Sequence, residues 1–595
     1  MKKFLQQILA SFIGSVSGIL FLLFLGGGGL IILLIALILS EDKPIVENQS
    51  ALVFNLASQI KERESDVTLE SLLSPDETET LTLYQVTKAI KKASQDDRIS
   101  AIFLDGSQGN IETGYASLTE IRTALEDFKK TGKKIIAYGV NYGEKDYFLS
   151  SIADTIIMNP MGLVEINGFS SPQLFFASAL QKYGIGFQIV RAGKYKAAVE
   201  PFIRDNYSQE SKEQTQVLLN SLWQNYVTLV SQSRKISTDK IKNLGNNTPL
   251  LYPEEAQKLG IINQIAYFDE VKTKLKEITQ SEKEDSFKQI SINKYLTAIE
   301  DNDLEDNKIA ILYAEGTIVS GQGNIEEIGS EYYAQQIQKI REDEDIKAVI
   351  LRINSPGGSA VASELILREL QLTAKEKPVI VSMGDVAASG GYWIATVGEK
   401  IFAEKSTITG SIGVFGLLLN LEKISTNNGI NYDVVTTNKF ADMGGIFREK
   451  TTAEIKVYEQ SVDKIYSLFL DKVAKSRKLT KNQVANIAQG RVWTGEDAKK
   501  VGLVDEIGGL NATINYTVNK LQLGNKYQIE EYPEQRTWGS EFTEKLSETQ
   551  LQQKMNNPEM MALTLSQLKS ELKIKEILQN PTKIYAILPF KLEIE

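Results

Sequence analysis

Three stretches of this chain put hydroxyls and glycines where acyl chemistry could use them. Asp385-Val386-Ala387-Ala388-Ser389-Gly390-Gly391-Tyr392-Trp393 follows a strand-like run and opens a helical pattern. Ser389 therefore stands at a helix N-terminus among small residues, with room in front of its oxygen for a carbonyl group. Asn354-Ser355-Pro356-Gly357-Gly358-Ser359 also lies between a strand and a helix. Its glycines allow close backbone approach, and amides of Gly357 or Gly358, with Gly390, form a candidate oxyanion hole. Thr409-Gly410-Ser411-Ile412-Gly413 offers a hydroxyl that could orient a base. Taken singly, each stretch reads better as a turn or an N-cap serine than as a catalytic element.

The base must be unusual. The chain has no His and no Cys. Ser–His–Asp and Cys–His machinery, thiolate metal sites and imidazole acid/base chemistry are excluded. Lys, Asp, Glu, Tyr or a terminal amine remains. The lysine-containing stretch Arg191-Ala192-Gly193-Lys194-Tyr195-Lys196-Ala197-Ala198-Val199-Glu200-Pro201-Phe202 becomes informative through an internal repeat. Ala101–Leu104 resembles Ala348–Leu351, Tyr147-Phe148-Leu149 resembles Tyr392-Trp393-Ile394, and Glu255–Ile261 resembles Asp497–Leu503. In that register Lys194 aligns with Lys439, but Lys196 aligns with Ala441 and Ser389 with Glu144. The candidate nucleophile exists only in the rear copy and the candidate base only in the front copy. That is the pattern of an ancestral site divided between two copies.

Each copy carries β-branched runs alternating with helical patterns, the mark of parallel βαβ units in an α/β fold. The expected elements include strands at Ala348–Asn354 and Val379–Met383, and helices at Ser363–Lys375 and from Ser389 to Thr396. The chain of 595 residues divides into an N-terminal anchor (1–45), a first repeat (46–280), a polar connector (281–307), a second repeat (308–525) and an extension (526–595). The extension has no counterpart in the first copy, and Leu563–Leu578 within it reads as helical.

Phe4 to Ser40 contains no charged residue, and a spanning helix needs about 20 apolar residues. Lys2 and Lys3 precede it, and Glu41 and Asp42 follow. The positive-inside bias puts the N-terminus in the cytoplasm and the remainder across the membrane. A cleaved signal peptide would have a shorter apolar region and a small-residue cleavage site. The net charge of -10 argues against nucleic acid as a partner.

These stretches together resemble the long, two-repeat form of the bacterial signal peptide peptidase A (protease IV) family. The resemblance runs from the anchor to about Gly509. It implies tandem ClpP/crotonase-like repeats behind a transmembrane helix, with Ser389 as nucleophile, Lys196 as general base, and Ser411 holding the lysine amine. It also implies a homotetramer in the bacterial cytoplasmic membrane, its catalytic part extracytoplasmic, bound to lipid through the N-terminal helix. Its substrates would be cleaved signal peptides, and it would need no metal or cofactor. Two other readings fit the Gly-rich loops: a crotonase-like acyl-CoA enzyme, and a non-catalytic membrane scaffold.

Overall fold

The computed structural model describes residues 43–64, 80–281, 286–299, 305–534 and 584–587, the last by its backbone. The apolar stretch Phe4–Ser40 and the helical reading of Leu563–Leu578 lie outside the described residues. Among those described, no helix is long and apolar enough to cross a membrane.

Two parallel sheets repeat one plan. The first orders its strands Gln264–Ile265, Thr155–Met158, Lys134–Gly139, Ile99–Gly106, Ser50–Asn55 and Gln289–Ser291. The second orders Glu506–Ile507, Lys400–Ala403, Val379–Ala388, Ile346–Ser355, Lys308–Glu315 and Gln528–Tyr532 in the same sequence. Their inner strands are apolar nearly without interruption because helices cover both faces. Details repeat as well. Tyr147 donates its hydroxyl to Ile261 O at 2.8 Å, and Tyr392 donates to Leu503 O at 2.7 Å. Helices Gln209–Arg234 and Thr452–Arg477 end on left-handed Lys235 and Lys478.

Sheet pairing extends several sequence-based elements. Val379–Ala388 runs past Met383 because residues 386–388 pair with Ile408–Gly410. The helix after the glycine loop is Ala360–Thr373, started early by Ser359, whose side chain caps Ala362 N. Gly357–Ser359 is itself a short strand rather than a helix N-terminus. Gln289–Ser291, in the connector, and Gln528–Tyr532, in the extension, take equivalent edge positions in the two sheets. The start of the extension therefore does have a counterpart in the first copy.

A third sheet joins the copies. Its order is Glu327–Gly329, Thr317–Val319, Gly357–Ser359, Ile584–Ile587, Val414–Asn420 and Gly186–Ala192. The antiparallel pairing of Gly186–Ala192 with Val414–Asn420 carries the front copy into the rear one. The aligned segment of the rear copy, Ile430-Asn431-Tyr432-Asp433-Val434-Val435, forms no strand, and Val435 is 98% exposed.

A buried ion cluster also fastens the copies. Arg352 of the rear copy reaches Glu62 with two hydrogen bonds of 2.9 Å and Glu120 at 2.7 Å. It also donates to Ser382 Oγ and Met383 O, on the strand that leads to Ser389. Burial pushes the Glu120 carboxyl up, and nearby Glu404 up to about 8. Arg352→Met strips the cation from two buried carboxylates. It should lower the free energy of unfolding by about 3–5 kcal/mol in urea titrations.

Candidate active site

Lys196 is delivered to the rear copy by strand pairing and by two glycines. The strand Gly186–Ala192 ends at Gly193, whose φ of 111° turns the chain. A Cβ there would stand 2.5 Å from the Gln489 carbonyl carbon. Tyr195 N then donates to Gln489 O at 2.9 Å. Gly490, at φ 77°, lies against the Lys196 backbone, where an added Cβ would come within 2.7 Å of Lys196 Cβ. Gly490→Ala should therefore displace the lysine. We expect kcat/KM to fall about 100-fold, with a stability loss of about 1 kcal/mol or more, read by peptide hydrolysis and thermal melting.

Ser389 sits in the turn between strand Val379–Ala388 and helix Gly390–Ala395, at φ 57° and ψ −113°. That left-handed conformation costs a non-glycine residue about 1–3 kcal/mol. Its amide donates to Gly410 O at 2.8 Å, and its carbonyl accepts from Trp393 N at 2.8 Å. Ser411, also left-handed at φ 49°, donates its amide to Arg491 O at 2.7 Å. These anchors fix two serines on neighbouring turns of one sheet.

The three side chains converge. Lys196 Nζ lies 2.8 Å from Ser389 Oγ, 2.9 Å from Ser411 Oγ and 3.1 Å from Ser411 O. All three residues are fully buried. Burial alone pushes the Lys196 amine well below the ordinary lysine range, with no carboxylate beside it to raise it again. A neutral amine has two N–H donors and one lone pair. It can donate to both Ser411 oxygens and accept from the Ser389 hydroxyl, so every partner is used. The neighbouring Lys194 is exposed and lies over the Tyr195 ring at 4.8 Å.

The glycine stretch adjoins the serine. A Cβ on Gly390 would come within 3.1 Å of both Gly357 Cα and Gly358 N. Gly357 N already donates to Ser355 Oγ at 3.1 Å, while Gly358 packs so tightly on Ile318 that a Cβ would stand 2.0 Å from its carbonyl oxygen. In the front copy the position of Ser389 is held by Glu144, which accepts from Asn167 N at 2.5 Å. A cavity of about 730 Å³ opens beside it, lined by Glu112, Glu144, Asp146 and Asp385. Burial pushes the Asp146 carboxyl up to about 6. Two contributors escaped sequence reasoning. Gly490 is one glycine in a polar turn, and the pairing of Ile584–Ile587 has no local signal beyond its lack of charge.

An α/β sheet ending in a strand-to-helix serine, met by a buried amine, has the parts that hydrolysis through a serine nucleophile needs. A model of peptidase family S49 matches residues 127–282 and again 371–523, and a Clp protease model matches residues 301–408. The chain belongs to peptidase family S49, with two S49 repeats and a Clp protease-like α/β fold, and is a serine-type peptidase. It is 38% identical over 452 residues to Protease 4 of Haemophilus influenzae, covering 73% of this chain and 72% of that one. It is 35% identical over 478 residues to Protease 4 of Salmonella typhi, covering 78% and 76%. It is also 35% identical over 457 residues to a chloroplastic serine protease SPPA of Arabidopsis thaliana, covering 74% and 66%.

Proposed function

We propose that the chain is a membrane-anchored endopeptidase with a Ser389/Lys196 dyad, acting on cleaved signal peptides and similar apolar peptides outside the cytoplasm. The observation that carries this reading is the 2.8 Å approach of the Lys196 amine to Ser389 Oγ, with both residues fully buried. Neutral Lys196 takes the Ser389 proton as Oγ attacks the scissile carbonyl carbon. Amides of Gly358 and Gly390 hold the oxyanion, with Gly357 fixing the loop through Ser355. The lysine ammonium then protonates the leaving amine, and the C–N bond breaks. Water gives a proton to the same amine and attacks the acyl carbon; the ester C–O bond then breaks, the ammonium returns the proton to Ser389 Oγ, and the acid leaves. Ser411 keeps the amine aimed at Ser389 throughout.

The anchor is assigned to residues 1–45, and the two repeats to 46–280 and 308–525. Apolar Phe4–Ser40 with Lys2 and Lys3 before it supports a single span with a cytoplasmic N-terminus. The homotetramer follows from the family resemblance, and the exposed segment Ile430–Val435 offers an edge for a neighbouring subunit. Its aligned partner in the front copy pairs with a strand of the rear copy, so a head-to-tail neighbour could repeat that pairing and close a ring.

The test is digestion of a synthetic signal peptide by the full chain in phospholipid vesicles, followed by mass spectrometry. Internal cleavage within the apolar segment is expected. An intact signal peptide, in the presence of enzyme that still hydrolyses other peptides, would reject the substrate assignment.

A further inference from the structure

A second cavity opens beside the loop that carries Lys196, and no step of the reaction uses it. Tyr195, Lys212, Glu213, Gln214, Val217 and Arg491 line a space of about 600 Å³. Two of these residues also hold the dyad through their main chains. Gln214 is buried, donates to Tyr195 O at 3.1 Å and accepts from Val492 N at 3.3 Å. Arg491 O accepts the amide of Ser411 at 2.7 Å. The Arg491 guanidinium lies over two aromatic rings, 4.3 Å from the Trp493 centroid and 5.5 Å from that of Tyr195. Trp493 is itself fixed, its Nε1 donating to Ile487 O at 3.0 Å.

Charge says what the cavity would take. In a chain of net charge -10, this lining is basic. Among the described residues, neither Arg491 nor Lys212 has a salt bridge or a side-chain hydrogen bond. Lys194 Nζ, over the Tyr195 ring at 4.8 Å, adds a third cation nearby. Glu213 is the single carboxylate among the described lining residues, and it accepts from Gln209 Nε2 at 3.0 Å. A guanidinium held on rings loses little freedom when it binds, and its planar fork of N–H groups matches a carboxylate. Tyr195 and Val217 supply an apolar wall for the side chain next to that carboxylate. A concave site with such a wall suits the end of a peptide better than a flat anionic membrane surface. We propose that this cavity binds the C-terminal carboxylate of an apolar peptide, so that the enzyme favours released peptides over unbroken chains. This rests on the serine peptidase reading above and adds a recognition site for the free end of the substrate.

The test uses the full chain carrying Ser389→Ala, in detergent micelles, so that binding is read without turnover. The probe is an apolar leucine- and alanine-containing peptide labelled with fluorescein at its N-terminus and followed by anisotropy. It is made once with a free C-terminal carboxylate and once as the C-terminal amide. The acid is expected to bind at least about tenfold more tightly than the amide, the worth of a hydrogen-bonded charge pair. Arg491→Gln removes the guanidinium but keeps the main-chain bonds of residue 491 to Ser411 and Ala488. It should bring the ratio of the two Kd values to about one. Lys212→Gln, at an exposed helix position, should lower the ratio by about threefold without any effect on folding. Equal affinities for acid and amide in the Ser389→Ala chain, no binding of the acid, or a ratio that neither substitution moves would overturn the proposal. Failure of the dyad reading would show separately, as undiminished turnover by the Ser389→Ala chain.

Discussion

Ser389→Ala should lower kcat for peptide hydrolysis by about 10⁴-fold or more while leaving the fold intact. The substitution removes the attacking oxygen and nothing else of size. Ala keeps the Cβ, so the left-handed backbone at φ 57° carries the same strain as before. The amide and carbonyl bonds of residue 389 to Gly410 and Trp393 are main-chain and persist. Stability should therefore stay within about 1 kcal/mol of the parent, the net worth of one hydrogen bond. The check is a pair of measurements on one preparation: hydrolysis of a fluorogenic apolar peptide, and the urea midpoint. Cleavage near the parental rate would remove Ser389 from the reaction.

Lys196→Met should cost about 10²–10⁴-fold in kcat, the range of a lost general base, and should raise stability at neutral pH. Met fills the same channel with an apolar stem, so the packing around Gly490 is kept. The sign of the stability change follows from the pKa. Burial holds the folded-state amine well below the unfolded value of about 10.4. Between the two values the unfolded chain binds the extra proton, so the stability of the parent rises with pH through that window. It is fully present above about pH 10.4 and is lost as pH falls toward the folded-state value. The Met variant lacks this titration. Its advantage in the urea midpoint should shrink steadily as pH rises toward 10, the range in which the lysine stops costing anything. An advantage independent of pH would mean that the amine is charged in the folded protein.

Much of this site could be read from residue types. The absence of His left few bases, and the internal repeat singled out Lys196 from Lys194 because only Lys194 has a lysine at the aligned position. The structure adds that Lys194 is exposed and Lys196 buried. The parallel strands were visible because burial on both faces leaves runs such as Ala348–Leu351 without polar interruptions. Other features have no local signature. The strand character of Gly357–Ser359 comes from pairing with Ile318 and with residues 585–587, far away in sequence. Residues 289–291 and 528–532 are polar and short, and become strands only because each completes a sheet edge. Arg352 lies within an apolar strand run, and its partners Glu62 and Glu120 come from the other copy.

The most direct test of the central claim is the rate at which a fluorophosphonate modifies the protein across pH, with the modified residue mapped, in the parent and in Lys196→Met. The buried neutral amine predicts a single modified residue, Ser389, a rate that rises through an inflection well below the ordinary lysine pKa, and no appreciable labelling without Lys196. Labelling of Ser389 in the Met variant at the parental rate and with the parental pH profile would contradict it.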